Sequence, residues 1–278
     1  MTLDKNISKK DTEGITLVKL PGSEIEVLFP KGYQRLEKNA LPDLTDDEEY
    51  NDACFHKTVS TSDNYILMET ILPEMAMDPE DVTELIDGIH DYMSDDQGLI
   101  EVKSGITSRG YNYIYSLIKN RDPENPQGSI YFLRLNLFNG DDVVEIKGNF
   151  TEIGTTGIRE SFGMEFARRA GLVNLSAGNM SGWNYDPYDP DFRRGYLMNL
   201  SEKEGLDGFF PDHPLSQARE FLLAVLKDEF VTVKETPKKD DSKDTVTPEE
   251  KKAEETKLMK AVFSDKAKRP SYPVKIER

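Results

Sequence analysis

Cysteine is almost absent from this sequence of 278 residues, which contains only Cys54. A single cysteine excludes an internal disulfide, so a buried apolar core has to stabilise the fold, and nothing calls for an oxidising compartment. Long apolar runs are also missing, since none approaches the roughly 18 residues that a membrane helix needs. The lysines of residues 1–11 are not followed by the apolar segment of a secretory signal. These absences predict a cytoplasmic protein.

Positive charge is scarce outside the C-terminal tail. The formal net charge is −17, and residues 232–278 contain 13 Lys and Arg against 10 Asp and Glu, so the remaining residues together carry −20. Nucleic acids and anionic membranes are held mainly by Lys and Arg on phosphates, so this balance argues against both as partners. A basic or neutral protein partner fits better, although an acidic surface can also serve solubility alone.

Motifs for catalysis, metal binding or cofactor binding are missing too. The three histidines, His56, His90 and His213, have no Cys or His neighbour at the spacing of metal ligands, which argues against a zinc site. His213 precedes a proline and is predicted to cap or begin a helix, whereas His90 is predicted to border the core. Cys54 and His56 share a face only if a strand begins there, so a small buried side chain is favoured over a nucleophile. We therefore predict no cofactor.

The glycine-rich segment Gly154-Thr155-Thr156-Gly157 could offer backbone N–H groups to a phosphate at a helix start. It lacks the lysine of a P-loop and the glycine spacing of a dinucleotide-binding motif. A structural turn is therefore favoured, and Arg159 just after it is predicted to pair with a carboxylate on a neighbouring element.

Hydrophobic periodicity predicts seven strands. Period-two patterns and turn residues place them at residues 15–20, 24–29, 64–72, 99–107, 111–119, 129–138 and 143–153. Residues 30–52 are rich in charge and are predicted to form a solvated loop.

Two amphipathic helices flank the last four of these strands, each with an apolar stripe at helical spacing. Asp78 is predicted to cap the first helix, which runs to about Ser94. Thr155 or Thr156 is predicted to cap the second helix, which ends at Gly171. Consecutive antiparallel strands between two helices predict an α+β domain.

The chain divides into four segments by composition. Residues 1–14 are predicted to be a flexible N-terminus, and residues 15–173 form the α+β domain. Residues 174–231 are predicted to be an extension, made of a long loop and a helix that starts at Pro214, packed on the domain. Residues 232–278 are predicted to be a charged, largely disordered tail, of which residues 249–263 could form a short helix.

The extension contains an aromatic loop, residues 183–192, which is the preferred candidate for a functional surface. Its candidates for contact with a partner are Trp183, Tyr185, Tyr188 and Phe192. Its candidate metal ligands are Asp186, Asp189 and Asp191. Three closely spaced carboxylates could bind a calcium ion, but the segment departs from the pattern of a calcium loop and its prolines restrict the backbone. A surface loop anchored by its aromatic side chains is the favoured interpretation.

The predicted elements follow one another as a strand pair, a helix, four antiparallel strands and a second helix. The chain enters this second helix through Phe150-Thr151-Glu152-Ile153-Gly154-Thr155-Thr156-Gly157-Ile158-Arg159. This order resembles the PsbP-like α/β sandwich. The resemblance covers about residues 15–173. It implies an antiparallel β-sheet with flanking helices and a binding or assembly role, because members of this fold mostly act by docking on other proteins.

Three hypotheses for function remain. The preferred one is a non-enzymatic interaction domain that binds another protein through its sheet face or its acidic, aromatic loop, with the tail as a tether. The second is a metal-dependent hydrolase that uses the acidic residues of segment 186–191. The third is an acidic immunity or chaperone protein that masks a basic client.

Overall fold

The computed structural model describes residues 16–36, 52–176 and 179–227. The predictions made for residues 1–14 and for the tail lie outside the described residues. None of the helices in the described part is long and apolar enough to cross a membrane.

Thirteen strands and three α-helices make up the described residues. The strands are β1 (Thr16–Lys19), β2 (Glu26–Phe29), β3 (Gln34–Arg35), β4 (Asp52–Val59), β5 (Ser62–Ile71), β6 (Gln97–Ile106), β7 (Asn112–Arg121), β8 (Ser129–Asn139), β9 (Asp142–Glu152), β10 (Asn174–Ser176), β11 (Asn179–Ser181), β12 (Asn184–Tyr185) and β13 (Met198–Asn199). The helices are α1 (Val82–Tyr92), α2 (Ile158–Arg169) and α3 (Pro214–Lys227). Short 3₁₀ turns occupy Pro73–Met75, Leu200–Glu202 and Glu204–Phe209.

Seven strands form one antiparallel sheet in the order β3-β4-β5-β9-β8-β7-β6. The predicted α+β class with an antiparallel sheet is therefore confirmed. Tight turns join neighbouring strands, as between β8 and β9, where Asn139 pairs with Asp142 around Gly140 at φ +63°. The predicted pairing of the first two strands is also found, because β1 and β2 form a separate antiparallel hairpin.

Helices α1 and α3 pack on opposite faces of this sheet. Tyr115 and Leu117 of β7 point into the main core with α3 and the β1–β2 hairpin. Ile114, one residue earlier, points into a second core with Val82 and Met93 at α1. Adjacent strand residues face opposite sides, so the alternation along β7 separates the two cores. The helix predicted to start at Pro214 is α3, and it shares the main core with the sheet through a buried apolar stripe of Leu215, Ala218, Leu222, Val225 and Leu226.

The start of each of the first two helices differs from the prediction. Asp81, rather than Asp78, caps α1 and accepts a hydrogen bond from Glu84 N at 2.9 Å. Asp78 instead accepts one from Glu80 N, which makes a local turn before the helix. The N-cap of α2 is Gly157 at φ +74° without a side-chain cap, so neither predicted threonine has this role.

The prediction of a solvated loop over residues 30–52 is wrong for residues 34 and 35. Residues 34 and 35 form β3, an exposed edge strand that pairs with β4 through main-chain groups. The prediction also missed β4 itself, which contains Cys54 and His56 on one face. His56 Nε2 lies 2.7 Å from Asp63 Oδ1 on β5, an interaction across neighbouring strands that sequence spacing does not reveal.

Candidate functional site

The aromatic loop lies along β6, the outer strand of the sheet. The Tyr188 hydroxyl accepts a hydrogen bond from Val102 N at 2.6 Å and donates one to Val102 O at 3.0 Å. These are main-chain groups that an edge strand would otherwise leave unpaired. Just after the loop, Tyr196 N donates to Gln97 O at 2.7 Å. The carbonyl oxygen of Tyr196 would lie 1.8 Å from a Cβ at Gly98, so this close approach requires a glycine. The segment therefore covers the sheet edge.

The aromatic candidates of this loop contact the rest of the fold. Trp183 is 7% exposed and packs with residues of α2 in a third core. Phe192 stacks on His90 with ring centroids 4.2 Å apart. Tyr185 is half-buried against the main core, with Lys203 Nζ 4.9 Å from its ring centroid. These contacts fix the loop in place, and among its aromatic candidates Trp183 is buried whereas Tyr188 is 38% exposed.

The loop aspartates do not converge on a metal site. Asp186 is buried, and its Oδ1 accepts hydrogen bonds from Tyr188 N and Asp189 N, both at 2.9 Å. Its Oδ2 lies 3.0 Å from His90 Nε2. Asp189 in turn accepts from Asp191 N at 2.8 Å. Each carboxylate that accepts these bonds is used to fold the loop, as is common for aspartate in turns.

A groove of about 570 Å³ lies between α1 and the ends of β6 and β7. Leu85, Ile89, Met93 and Ile118 supply its apolar lining. Tyr92 stands at the groove with 91% of its surface exposed. A volume of this size lies within the range of specific binding pockets, which are usually lined by apolar side chains with a few polar groups.

Gly88 lies on this groove in the middle of α1. A Cβ built at Gly88 would meet no heavy atom within 4 Å, so packing within the described residues gives no reason for a glycine. Glycine inside a helix costs about 0.5–1 kcal/mol relative to alanine. Gly88 therefore lowers the stability of the helix, and its effect in the structure is that the groove stays open.

Carboxylates border the groove. Asp78, Asp81 and Glu84 line it, and no Lys or Arg is among the described residues of its lining. The sequence around them is acidic throughout, because residues 78–96 contain eight Asp and Glu and no Lys or Arg. A cationic group entering the groove beside Asp78, Asp81 and Glu84 would meet three carboxylates. Arg194 lies at the other end of α1, where it donates hydrogen bonds to His90 O and Asp91 O.

A second concentration of polar groups is buried between the sheet, α2 and α3. Lys119 is 0% exposed and donates to Glu202 Oε2 at 2.9 Å, while Tyr131 donates to Glu202 Oε1 at 2.9 Å. Arg159, also fully buried, donates to Ser201 O at 2.7 Å and to Asp207 Oδ1 at 2.8 Å. The predicted pairing of Arg159 with a carboxylate on a neighbouring element is confirmed.

Three ligand-type side chains meet beside this network. Glu152 ends β9, Glu160 lies in the first turn of α2, and His213 precedes α3; one ligand atom of each lies within 4.8 Å of the others. Burial, with the nearby Glu160 charge, raises the pKa of Glu152 to about 7. Burial also raises the pKa of Glu160 and, with Arg159 and Arg219, lowers the pKa of His213. This group is the one set of three potential metal ligands that the described residues bring together.

The prediction for His213 is confirmed, because its Nδ1 accepts a hydrogen bond from Leu215 N at 3.2 Å in the first turn of α3. Its proximity to Glu152 and Glu160 could not be predicted from the sequence, since the three residues come from separate elements. The groove had one sequence signal, a glycine inside a predicted helix within an acidic run.

Comparisons with known proteins identify no relative that establishes a function. No protein-family model matches the chain, and no curated protein matches it. A solved structure of the Pseudomonas aeruginosa protein PA94, which is of unknown function and is described as a candidate regulator, aligns with 60% of this chain and 99% of its own length at 11% identity and a TM-score of 0.29. A similarity at this TM-score supports no inference about the fold or the function of this chain.

Proposed function

We propose that this protein is a non-enzymatic interaction module whose α1 groove binds an apolar segment of another protein flanked by Lys or Arg. Three features of the groove support the proposal. Its lining is apolar, its rim has carboxylates and no Lys or Arg among the residues that the structure describes, and packing among those residues does not explain its central glycine. The proposal moves the interaction surface from the sheet face or the aromatic loop to α1.

The chemistry of the partner segment follows from the lining. Apolar side chains entering beside Leu85, Ile89 and Ile118 would leave water, which favours binding in proportion to the area removed. Lys or Arg on either side would face Asp81 and Glu84 and would steer the encounter. At Gly88, a backbone or a bulky side chain can approach α1 more closely than at any residue with a Cβ.

The other two hypotheses for function are not equally well supported. An acidic chaperone or immunity protein would use the same groove, and the identity of its basic client would distinguish it. The hydrolase hypothesis has no supporting contact, because the oxygens of Asp186 are taken by hydrogen bonds within the loop and by His90.

We also propose the PsbP-like α/β sandwich for the fold and the cytoplasm for the location. In favour of the sandwich are the seven-stranded antiparallel sheet and the packing of α1 and α3 on its opposite faces. The single cysteine, Cys54, agrees with a reducing compartment.

Fluorescence anisotropy with two synthetic amphipathic peptides tests the binding proposal. Both carry the same leucine stripe, one with flanking lysines and the other with glutamates in their place. We expect the lysine peptide to bind more tightly, and added salt to weaken its binding because the charges at the rim are exposed.

Gly88→Leu fills the groove and should abolish binding of the lysine peptide. Gly208→Leu is the matched control, because a Cβ at Gly208 also meets no atom within 4 Å and this residue does not line the groove. Equal binding of both peptides, or unchanged binding to the Gly88→Leu variant, would contradict the proposal.

A further inference from the structure

We propose that Glu152, Glu160 and His213 form a binding site for one divalent transition metal ion, with Zn²⁺ as the best fit. The site is separate from the α1 groove and does not depend on the proposed binding function. Its occupation would join the end of β9 to the first turns of α2 and α3.

The arrangement of the three side chains suits a small cation. One ligand atom of each residue lies within 4.8 Å of the others, so an ion between them could reach all three after small side-chain movements. Protein sites bind Zn²⁺ through histidine nitrogen and carboxylate oxygen at about 2.0–2.2 Å. Three protein ligands leave one position of a tetrahedral ion for water.

Two of the three residues have polar atoms without partners among the described residues. These atoms are both carboxylate oxygens of Glu160 and Nε2 of His213, and all three are buried. Glu152 differs, because its oxygens accept hydrogen bonds from Gly157 N at 3.0 Å and from Ser129 N at 3.4 Å. His213 is 4% exposed, so its ring nitrogen is closed off from bulk water. Buried polar groups are almost always paired, and a group that is not paired requires an explanation such as an ion.

The neighbouring cations are already matched to other acids. Lys119 pairs with Glu202 at 2.9 Å, and Arg159 pairs with Asp207 at 2.8 Å. Within the described part of the chain Glu160 forms no ion pair, although it lies next to the buried carboxyl group of Glu152. A divalent ion would neutralise both carboxylates and would use the nitrogen of His213 as a third ligand.

Imidazole in the donor set selects among metals. Histidine nitrogen suits Zn²⁺, Fe²⁺ and Ni²⁺, whereas Mg²⁺ and Ca²⁺ prefer sites made of oxygen alone. Neutral imidazole is the form of histidine that binds metal.

Binding has a specific consequence for the ring of His213. Its Nδ1 accepts a hydrogen bond from Leu215 N at 3.2 Å, so without metal the ring proton lies on Nε2. A metal on Nε2 requires that proton to leave and Nδ1 to carry one. The imidazole stays neutral overall, and the hydrogen bond from Leu215 is given up. Zn²⁺ binding is thereby coupled to the start of α3.

Isothermal titration calorimetry with ZnCl₂ on EDTA-treated full-length protein tests the site. A Cys54→Ser background removes the lone thiol as an adventitious ligand. We expect one equivalent of Zn²⁺ to bind, with Mg²⁺ and Ca²⁺ failing to compete. Glu160→Gln, which loses no hydrogen bond and so should fold, is expected to weaken Zn²⁺ binding by roughly 100-fold, because even outer-shell partners of a metal ligand are worth 10–100-fold.

Glu165→Gln on the same helix is the matched control, because Glu165 pairs with Arg168 and Arg169 at the surface, and we expect it to bind Zn²⁺ like the parent. A second measurement reads the ring itself: long-range ¹H–¹⁵N spectra should show His213 protonated at Nε2 without metal and at Nδ1 with Zn²⁺. Zn²⁺ binding that Glu160→Gln leaves unchanged, a ring that keeps its Nε2 proton, or no binding at all would overturn the proposal.

Discussion

The sharpest prediction about the groove concerns Gly88. Gly88→Ala adds a methyl group that meets no atom within 4 Å, so the folded chain accepts it without strain. Alanine is better than glycine inside a helix by about 1 kcal/mol. We therefore expect unfolding to cost about 0.5–1 kcal/mol more, which raises the melting temperature by about 1–4 °C for a domain of this size.

Binding should change in the opposite direction from stability. The new methyl group lies in the space that the partner segment is proposed to fill. Gly88→Ala should therefore weaken binding of the lysine peptide, and Gly88→Leu should weaken this binding further. A gain in stability together with a loss of binding is typical of a residue retained for function. Urea unfolding and peptide anisotropy on the same samples measure both quantities.

Two results would refute this reasoning. If Gly88→Ala fails to stabilise the protein, the glycine carries no helix cost and its presence needs no functional explanation. If the variant is more stable but binds the peptide as well as the parent does, the open space at Gly88 is irrelevant to recognition. Gly208→Ala, outside the groove, controls for a nonspecific effect of removing a glycine.

Three further predictions concern buried polar groups. Tyr188→Phe should cost about 1–3 kcal/mol in urea unfolding, because it leaves the N–H and C=O groups of Val102 without their hydroxyl partner. Glu160→Gln should stabilise the metal-free protein at about pH 8 and have little effect near pH 4, because burial raises the pKa of Glu160 on folding and its ionisation lowers stability as pH rises through the folded pKa. Lys119→Met should cost about 3–5 kcal/mol, because it leaves the Glu202 carboxylate buried without its cation.

Exposed positions of the same residue types serve as controls. Tyr92→Phe, at a side chain that is 91% exposed, should change stability by less than about 0.5 kcal/mol. Lys19→Met breaks an ion pair with Glu24 in which both side chains are exposed, and it should cost less than about 1 kcal/mol. If Tyr188→Phe and Lys119→Met cost no more than these controls, the hydroxyl at the sheet edge and the buried ion pair do not stabilise the fold as described.

Local patterns were sufficient to predict most of the sheet. The hairpin that joins β8 and β9 has alternating apolar residues and an Asn139-Gly140 turn, both of which act over a few residues. The stripe of α3 was equally clear, because every residue in it faces one core. Strand β3 was missed because Gln34 and Arg35 are exposed, so only main-chain pairing with β4 identifies them.

The candidate sites were harder to predict because they depend on contacts between distant residues. The aromatic loop attracted attention by its composition, yet its side chains serve mainly to cover β6. Glu152, Glu160 and His213 carry no pattern in the sequence, and only the packing of α2 and α3 against the end of β9 brings them together. The predicted helix caps were wrong for a related reason. Several residues near each helix start could act as the N-cap, and tertiary packing selects one of them.

Methyl NMR during titration with the lysine peptide tests the central claim most directly. We predict that the methyl signals of Ile89, Met93 and Ile118 shift. The methyl signals of Ile66 and Met68, which are buried in the main core, should not shift. Shifts confined to residues outside the groove, or no shifts at peptide saturation, would contradict the proposal that α1 and its neighbouring strands form the binding surface.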